Sequence, residues 1–145
     1  MVAEANPSRV TPSRLRVGID LVSVTRVAES LAQFGERFLR RVFTEGEIAY
    51  ATSSPSQTAE RLAARMAAKE ATVKALRMVH EGVGWRQIEV VRDPSGACDL
   101  VLHGRAREIA AAAGVDELSV SLSHECDYAT AVVVTRVTRV LPVPT

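Results

Sequence analysis

Lysine is almost missing from this sequence of 145 residues: of its 18 basic residues only Lys69 and Lys74 are lysines, and every other cationic side chain is arginine. Cysteine is scarce too. Cys98 and Cys126 form no CxxC and have no second pair, which excludes a disulfide scaffold and leaves no zinc spacing. His80, His103 and His124 are too dispersed to make a metal cluster. The opening stretch MVAEANPSRVTPSR lacks the apolar segment of a secretion signal, and no apolar run is long enough to cross a bilayer. The expectation is a reduced, cytoplasmic protein with no membrane span. Excess charge is lacking as well, since a net +1 provides no global field for nucleic acid or an anionic surface. The local segregation that exists lies before position 42, where seven arginines outnumber four acidic residues.

Apolar side chains are abundant, at 47% of the chain, enough for one globular domain of this length. Residues 1–14 and 137–145, with their prolines and small polar residues, read as tails around a domain at 15–136. LRVGIDLV (15–22) reads as a buried strand, followed by an amphipathic helix from about Ser23 to Phe34. Thr44 with Glu47 three residues on is a capping box that opens a short helix. After the loop SSPSQT, a long helix spans about Ala59 to His80 and is stopped by Gly82 and Gly84. IEVV, the turn DPSG and CDLVL make a hairpin, RAREIAAAAG is a helix ended by Gly114, and ELSVSLS and YATAVVVT are strands that pair. The pattern is α+β, a small antiparallel sheet packed with a long helix.

On a wheel of about 100° per residue, Leu62, Met66, Val73 and Leu76 form an apolar stripe that contains Lys69, while Ala64, Ala67, Ala68, Ala71 and Ala75 form a second, small-residue face. Glu70, Lys74 and Arg77 lie along one edge, and Arg61, Arg65 and Thr72 along the other. A helix packed on both sides makes Lys69 and Glu70 candidates for partial burial, where charge is paired or used. Glu70 and Lys74 also suit an ordinary i, i+4 ion pair, worth about 0.2–0.5 kcal/mol on an exposed face. Arginine would serve that pair equally, whereas lysine can shift its pKa and pass a proton.

Asp20 interrupts an apolar strand, where aspartate is depleted. It is either a strand-end residue that initiates the next helix or a carboxylate held toward a site. Together with Glu70 it would provide two oxygen ligands and leave other positions to water and phosphate, as Mg²⁺ is usually held. In SVSLSHECDYA, Ser119, Ser121 and Ser123 alternate with Leu118, Val120 and Leu122. One strand face therefore carries a row of hydroxyls, running up to His124, whose donors suit a phosphate.

Taken in order and separation, GIDLVSVTR, FTEGE, RLAARMAAKEATVKAL, the Trp85 ahead of IEVV, LHGRA and SLSHECDYATAVVV resemble the successive motifs of the holo-acyl-carrier-protein synthases, the small phosphopantetheinyl transferases, over about residues 15 to 136. The resemblance implies transfer of the 4′-phosphopantetheine arm from coenzyme A to a serine of an apo acyl carrier protein of the fatty-acid or polyketide type. It also implies release of adenosine 3′,5′-bisphosphate, a requirement for Mg²⁺, and a homotrimer with active sites at the subunit interfaces. Residue by residue, it implies Asp20 and Glu70 as metal ligands and Glu70, Lys74 and Lys69 as catalytic groups. Arg65, Lys69, Ser121 and His124 would hold coenzyme A, and Arg26 would meet an acidic helix of the carrier protein. Ser119 stands where many members have histidine, and Cys98 stands where the family's Gly-x-Pro has proline. Two other classes would use the same residues: a Mg²⁺-dependent nucleotide pyrophosphohydrolase, which needs no carrier, and a non-catalytic module that binds the carrier.

Overall fold

The computed structural model describes residues 12–138. Strand β1 (Ser13–Ser23) pairs antiparallel with β5 (Tyr128–Thr138), and β5 pairs antiparallel with β4 (Val115–Glu125), giving a three-stranded sheet of order β1-β5-β4. The sheet reaches further than the expected domain limits, because Ser13 pairs with Thr138 and Arg14 with Val137. The remainder of the two expected tails, residues 1–11 and 139–145, lies outside the described residues.

Between β1 and β4 come α1 (Val24–Phe34), α2 (Glu36–Val42), α3 (Glu45–Thr52), α4 (Thr58–Leu76), the hairpin β2 (Ile88–Arg92) and β3 (Cys98–Leu102), and α5 (Gly104–Ala112). Ser23 caps α1 by accepting from the Arg26 N–H. Thr44 and Glu47 form the expected capping box of α3. The SSPSQT loop closes in a 3₁₀ turn at Pro55–Gln57. Among the described residues no helix is long and apolar enough to cross a membrane.

Helix α4 is buried on both broad faces, as its wheel requires. Ala67, Ala68, Ala71 and Ala75 pack on Ala131 and Val133 of β5 and on Val90 of the hairpin. Leu62, Ala63 and Ala64 pack with Val27, Val42, Phe43 and Ala51 of α1–α3. The alanines matter because they allow backbone to approach backbone, and β1 answers them with Gly18. A Cβ at Gly18 would lie 2.0 Å from the Ala71 carbonyl oxygen and 2.8 Å from the Ala75 nitrogen. Both are helix backbone atoms that cannot step aside. Gly18→Ala is therefore expected to push β1 off α4, at a cost of about 1–3 kcal/mol or more for overpacking, and to lower turnover by moving Asp20 away from the helix. Thermal unfolding and steady-state rates check this; wild-type values for both would refute the close-approach role.

Two expectations fail here for physical reasons. The long helix ends at Leu76, well before Gly82 and Gly84, because Arg77 itself takes the left-handed conformation (φ 57°) and the Met78 N–H donates to the Val73 carbonyl at 2.9 Å. Met78 is then buried with Leu76, Ile88 and Ala106, and that apolar contact sets the stop without glycine. Nor is β1 buried as its apolar run suggests. Leu15, Val17, Ile19 and Leu21 are 74%, 67%, 60% and 62% exposed, while Gly18 and Asp20 face inward.

Candidate active site

Gly18 brings β1 against α4 so that Asp20 meets the edge of the helix carrying Glu70 and Lys74. The Lys74 ammonium donates to Asp20 Oδ1 at 3.0 Å and to the Ile19 carbonyl at 2.9 Å. Lys74 is half exposed and Asp20 one-fifth exposed. The ammonium thus reaches across to the strand, and among the described residues no ion pair joins it to Glu70 at i, i+4. Burial raises the Glu70 pKa, the neighbouring Asp20 charge raises it further, and Lys74 opposes both. Two carboxylates share this edge of α4 with a single ammonium, a charge deficit that a divalent cation would relieve. The all-oxygen donor pair, open to solvent on one side, suits Mg²⁺.

A second feature lies on another flank of α4. Arg65 sits about 1.4 turns before Glu70, about 7.5 Å away along the axis, and lines a cavity of about 370 Å³ with Tyr50, Arg61, Arg92, Cys98 and His124. The guanidinium carbons of Arg61, Arg65 and Arg92 lie 4.3, 4.2 and 5.2 Å from the centroid of the Tyr50 ring, a cation–π cluster in which one aromatic holds three like charges together. Arg65 is only 3% exposed. Its Nη1 donates to the Arg61 carbonyl at 3.3 Å, and its buried Nε has no hydrogen-bond partner among the described residues. Burial lowers the Arg65 pKa. His124 Nδ1 lies 3.4 Å from Glu60 Oε1 at the rim. A buried guanidinium with a spare donor, flanked by two more, is suited to a multiply charged anion such as phosphate.

A family model for the 4′-phosphopantetheinyl transferase superfamily matches residues 16–133. A holo-[acyl-carrier-protein] synthase of Koribacter versatilis is 44% identical over 121 residues, covering 83% of this chain and 96% of its own. The chain belongs to the 4′-phosphopantetheinyl transferase superfamily. The corresponding synthase of Gloeobacter violaceus is 47% identical over 118 residues, covering 81% of this chain and 89% of its own. The coenzyme A complex of the Chronobacterium ammoniagenes synthase superposes with a TM-score of 0.77 at 35% identity, covering 87% of this chain and 99% of that one.

Within this superfamily fold, the expected site residues divide. Asp20, Glu70 and Lys74 converge, and Arg65 and His124 share the arginine cavity. Lys69 is not brought to either. Its side chain is wholly buried, and its ammonium donates to Glu47 Oε1 at 2.8 Å, to the Trp85 carbonyl at 3.0 Å and to the Ile88 carbonyl. All three donors are engaged there, so in this geometry Lys69 ties α4 to α3 and the hairpin and leaves no donor toward the catalytic and coenzyme-binding roles expected of it. Ser121 is displaced as well. It pairs with Val132, which pairs with Ile19, so it lies on the outer sheet face with Ser119, whereas Asp20 faces inward; alternation along β4 puts His124 on the side opposite the serines. Arg26 is exposed on α1, at the rim of a groove of about 490 Å³ lined by Val22, Val27, Phe38 and Met66.

Sequence reasoning missed Glu47 beyond its cap, where it also accepts the Val90 N–H at 3.0 Å. It missed Glu89, which accepts from Thr44 Oγ1 and lies 3.0 Å from His103 Nε2. Tyr50 and Arg92 of the cavity were also missed, because nothing in their neighbourhoods marks them; Arg61 was visible only as an edge neighbour of Arg65.

Proposed function

We propose that this chain is a holo-[acyl-carrier-protein] synthase: it transfers the 4′-phosphopantetheine group from coenzyme A to a serine of an apo acyl carrier protein and releases adenosine 3′,5′-bisphosphate. The observation that carries this reading is the convergence of Asp20, Glu70 and Lys74 on one cleft within a fold shared with a coenzyme A complex. Asp20 and Glu70 would hold Mg²⁺. Bound there, the ion supplies positive charge to the coenzyme A diphosphate. Lys74, already oriented by Asp20 and the Ile19 carbonyl, neutralises charge on the scissile phosphoanhydride and gives a proton to the departing oxygen. Arg61, Arg65 and Arg92, held on Tyr50, bind a further phosphate of the coenzyme, and His124 closes the rim.

The cleft and the arginine cavity lie on different flanks of α4, and the outer sheet face next to β1 is apolar and exposed, with Val17 opposite Val134 and Ile19 opposite Val132. Both features support a homotrimer in which neighbouring subunits cover that face and complete each site between them. An exposed free thiol at Cys126 suits the reducing cytoplasm.

Intact-mass measurement of an apo carrier protein incubated with this protein, coenzyme A and Mg²⁺ tests the reading. A gain of one phosphopantetheine is the expected result. Hydrolysis of coenzyme A with no change in the carrier would instead identify a pyrophosphohydrolase, and carrier binding without either reaction a non-catalytic module.

The groove beside Arg26 supports docking of an acidic, partly apolar helix of the carrier. Arg26→Glu is expected to raise KM for the carrier roughly tenfold or more while leaving KM for coenzyme A near the wild-type value, and added salt should weaken the wild-type docking. Equal losses for both substrates would make Arg26 a structural residue.

A further inference from the structure

Cys98 has no part in the transfer chemistry, yet its position is specific. It opens β3 directly opposite Arg92 in the hairpin register, and it lines the arginine cavity half-buried, not in a disulfide among the described residues. The cavity is marked as a ligand site independently of this thiol. Arg65 lines it with only 3% of its surface exposed, and its buried Nε has no hydrogen-bond partner among the described residues. Arg61 and Arg92 add two further guanidinium groups around Tyr50. Cys98 and Arg65 line this cavity together. A small molecule carrying both a reactive sulfur and negative charge would find its two requirements met in one cavity. Cys126 lacks this setting: it is exposed in the β4–β5 turn at φ 51°, next to Asp127.

We propose that Cys98 is a modification site for anionic low-molecular-weight disulfides, and that the resulting mixed disulfide closes the cavity to coenzyme A. The Cys98 thiolate, its proton released to solvent, attacks one sulfur of R–S–S–R. The new Cys98–S–S–R bond forms as the old S–S bond breaks, and the departing thiolate takes that electron pair and is protonated to R–SH. The incoming disulfide is the only oxidant, and a dithiol reverses the step. The carboxylates or phosphates of R rest on the arginines that otherwise receive the coenzyme. Modification at Cys98 stands on the cavity alone, whereas the loss of activity rests on the functional reading above.

The full chain carrying Cys126→Ser is treated with coenzyme A disulfide (phosphate-bearing), glutathione disulfide (carboxylate-bearing) or neutral hydroxyethyl disulfide, and followed by intact mass and by transfer to apo carrier relative to its own untreated rate. Both anionic disulfides are expected to add one thiol about tenfold or more faster than the neutral one. Activity should fall in step with the adduct and return with dithiothreitol, and adenosine 3′,5′-bisphosphate should slow the addition. A faster reaction with only one of the two anionic reagents assigns the site to phosphate or to carboxylate. The Cys98→Ser, Cys126→Ser double variant should remain unmodified and keep its own untreated rate. Charge-independent rates, no adduct, or an adduct without loss of transfer would overturn the proposal. An untreated protein with no transfer activity would overturn the functional reading instead, while the mass measurement still decides whether Cys98 is modified.

Discussion

Asp20→Asn and Glu70→Gln will each lower kcat/KM for carrier modification by on the order of 10²–10³ without unfolding the protein. Each removes one of the two carboxylates that share the cleft with Lys74, and neither neutral amide can replace the lost charge on a divalent ion. The two variants differ in stability in a way that separates chemistry from folding. The folded-state pKa of Glu70 is raised, by burial first and by Asp20 second. A raised carboxyl pKa gives stability to the protonated form that is fully present at low pH and lost as pH rises through the folded-state value. Once ionised, Glu70 therefore works against the fold, and Glu70→Gln in the presence of a chelator, at a pH where the carboxyl has lost its proton, should unfold at or above the wild-type temperature. Asp20→Asn gives up its ion pair with a half-exposed Lys74 and should unfold slightly lower. Rates as a function of Mg²⁺, with thermal unfolding alongside, check both. Normal turnover by both variants at limiting Mg²⁺ would remove Asp20 and Glu70 from the metal assignment.

Lys69→Met will have its largest effect on stability. It leaves Glu47, wholly buried with Lys69, as an uncompensated charge in the core, and breaking such a pair from one side costs about 3–5 kcal/mol. For a domain of this size that lowers Tm by about 10 °C or more. Glu47→Gln should cost a comparable amount, because it strands the ammonium and weakens the bond to the Val90 N–H. The double variant should lose less than the sum of the two, since a neutral pair leaves no buried charge. Unfolding temperatures of the three variants at one protein concentration provide the measurement. A Lys69→Met protein that melts like wild type but has lost coenzyme A binding would return Lys69 to the active site and refute the bracing role.

These two lysines show how far the sequence was legible. Both stand out because arginine serves everywhere else, and the structure gives their ammonium groups different partners that spacing could not separate. Lys74 sits on the edge that meets β1. Lys69, five positions earlier, points between α3 and the hairpin, and whether that direction led to solvent, substrate or core depended on Glu47 arriving from 22 residues away. A helix wheel reports angle about one axis and carries no information on what stands beyond each face.

Local signals carried the elements that local physics decides. The capping box at Thr44, the DPSG hairpin turn and the tight turn that joins the paired final strands all depend on residues a few positions apart. The alternation of serine and leucine along β4 specified two faces correctly, yet which face shared the side of Asp20 was set by packing against α4, and Ser121 went to the outer one. Likewise the run LRVGIDLV identified a strand but misplaced its apolar side. Gly18 and the alanines of α4 fit backbone to backbone, so the strand turns its smallest residue and its aspartate inward and leaves Leu15, Val17, Ile19 and Leu21 outside. Chain order alone thus determined the elements, the family motifs and the residues with unusual chemistry. Only the tertiary structure decided which of those residues meet, because convergence depends on distances between elements, and in this chain those distances are governed by where side chains are absent.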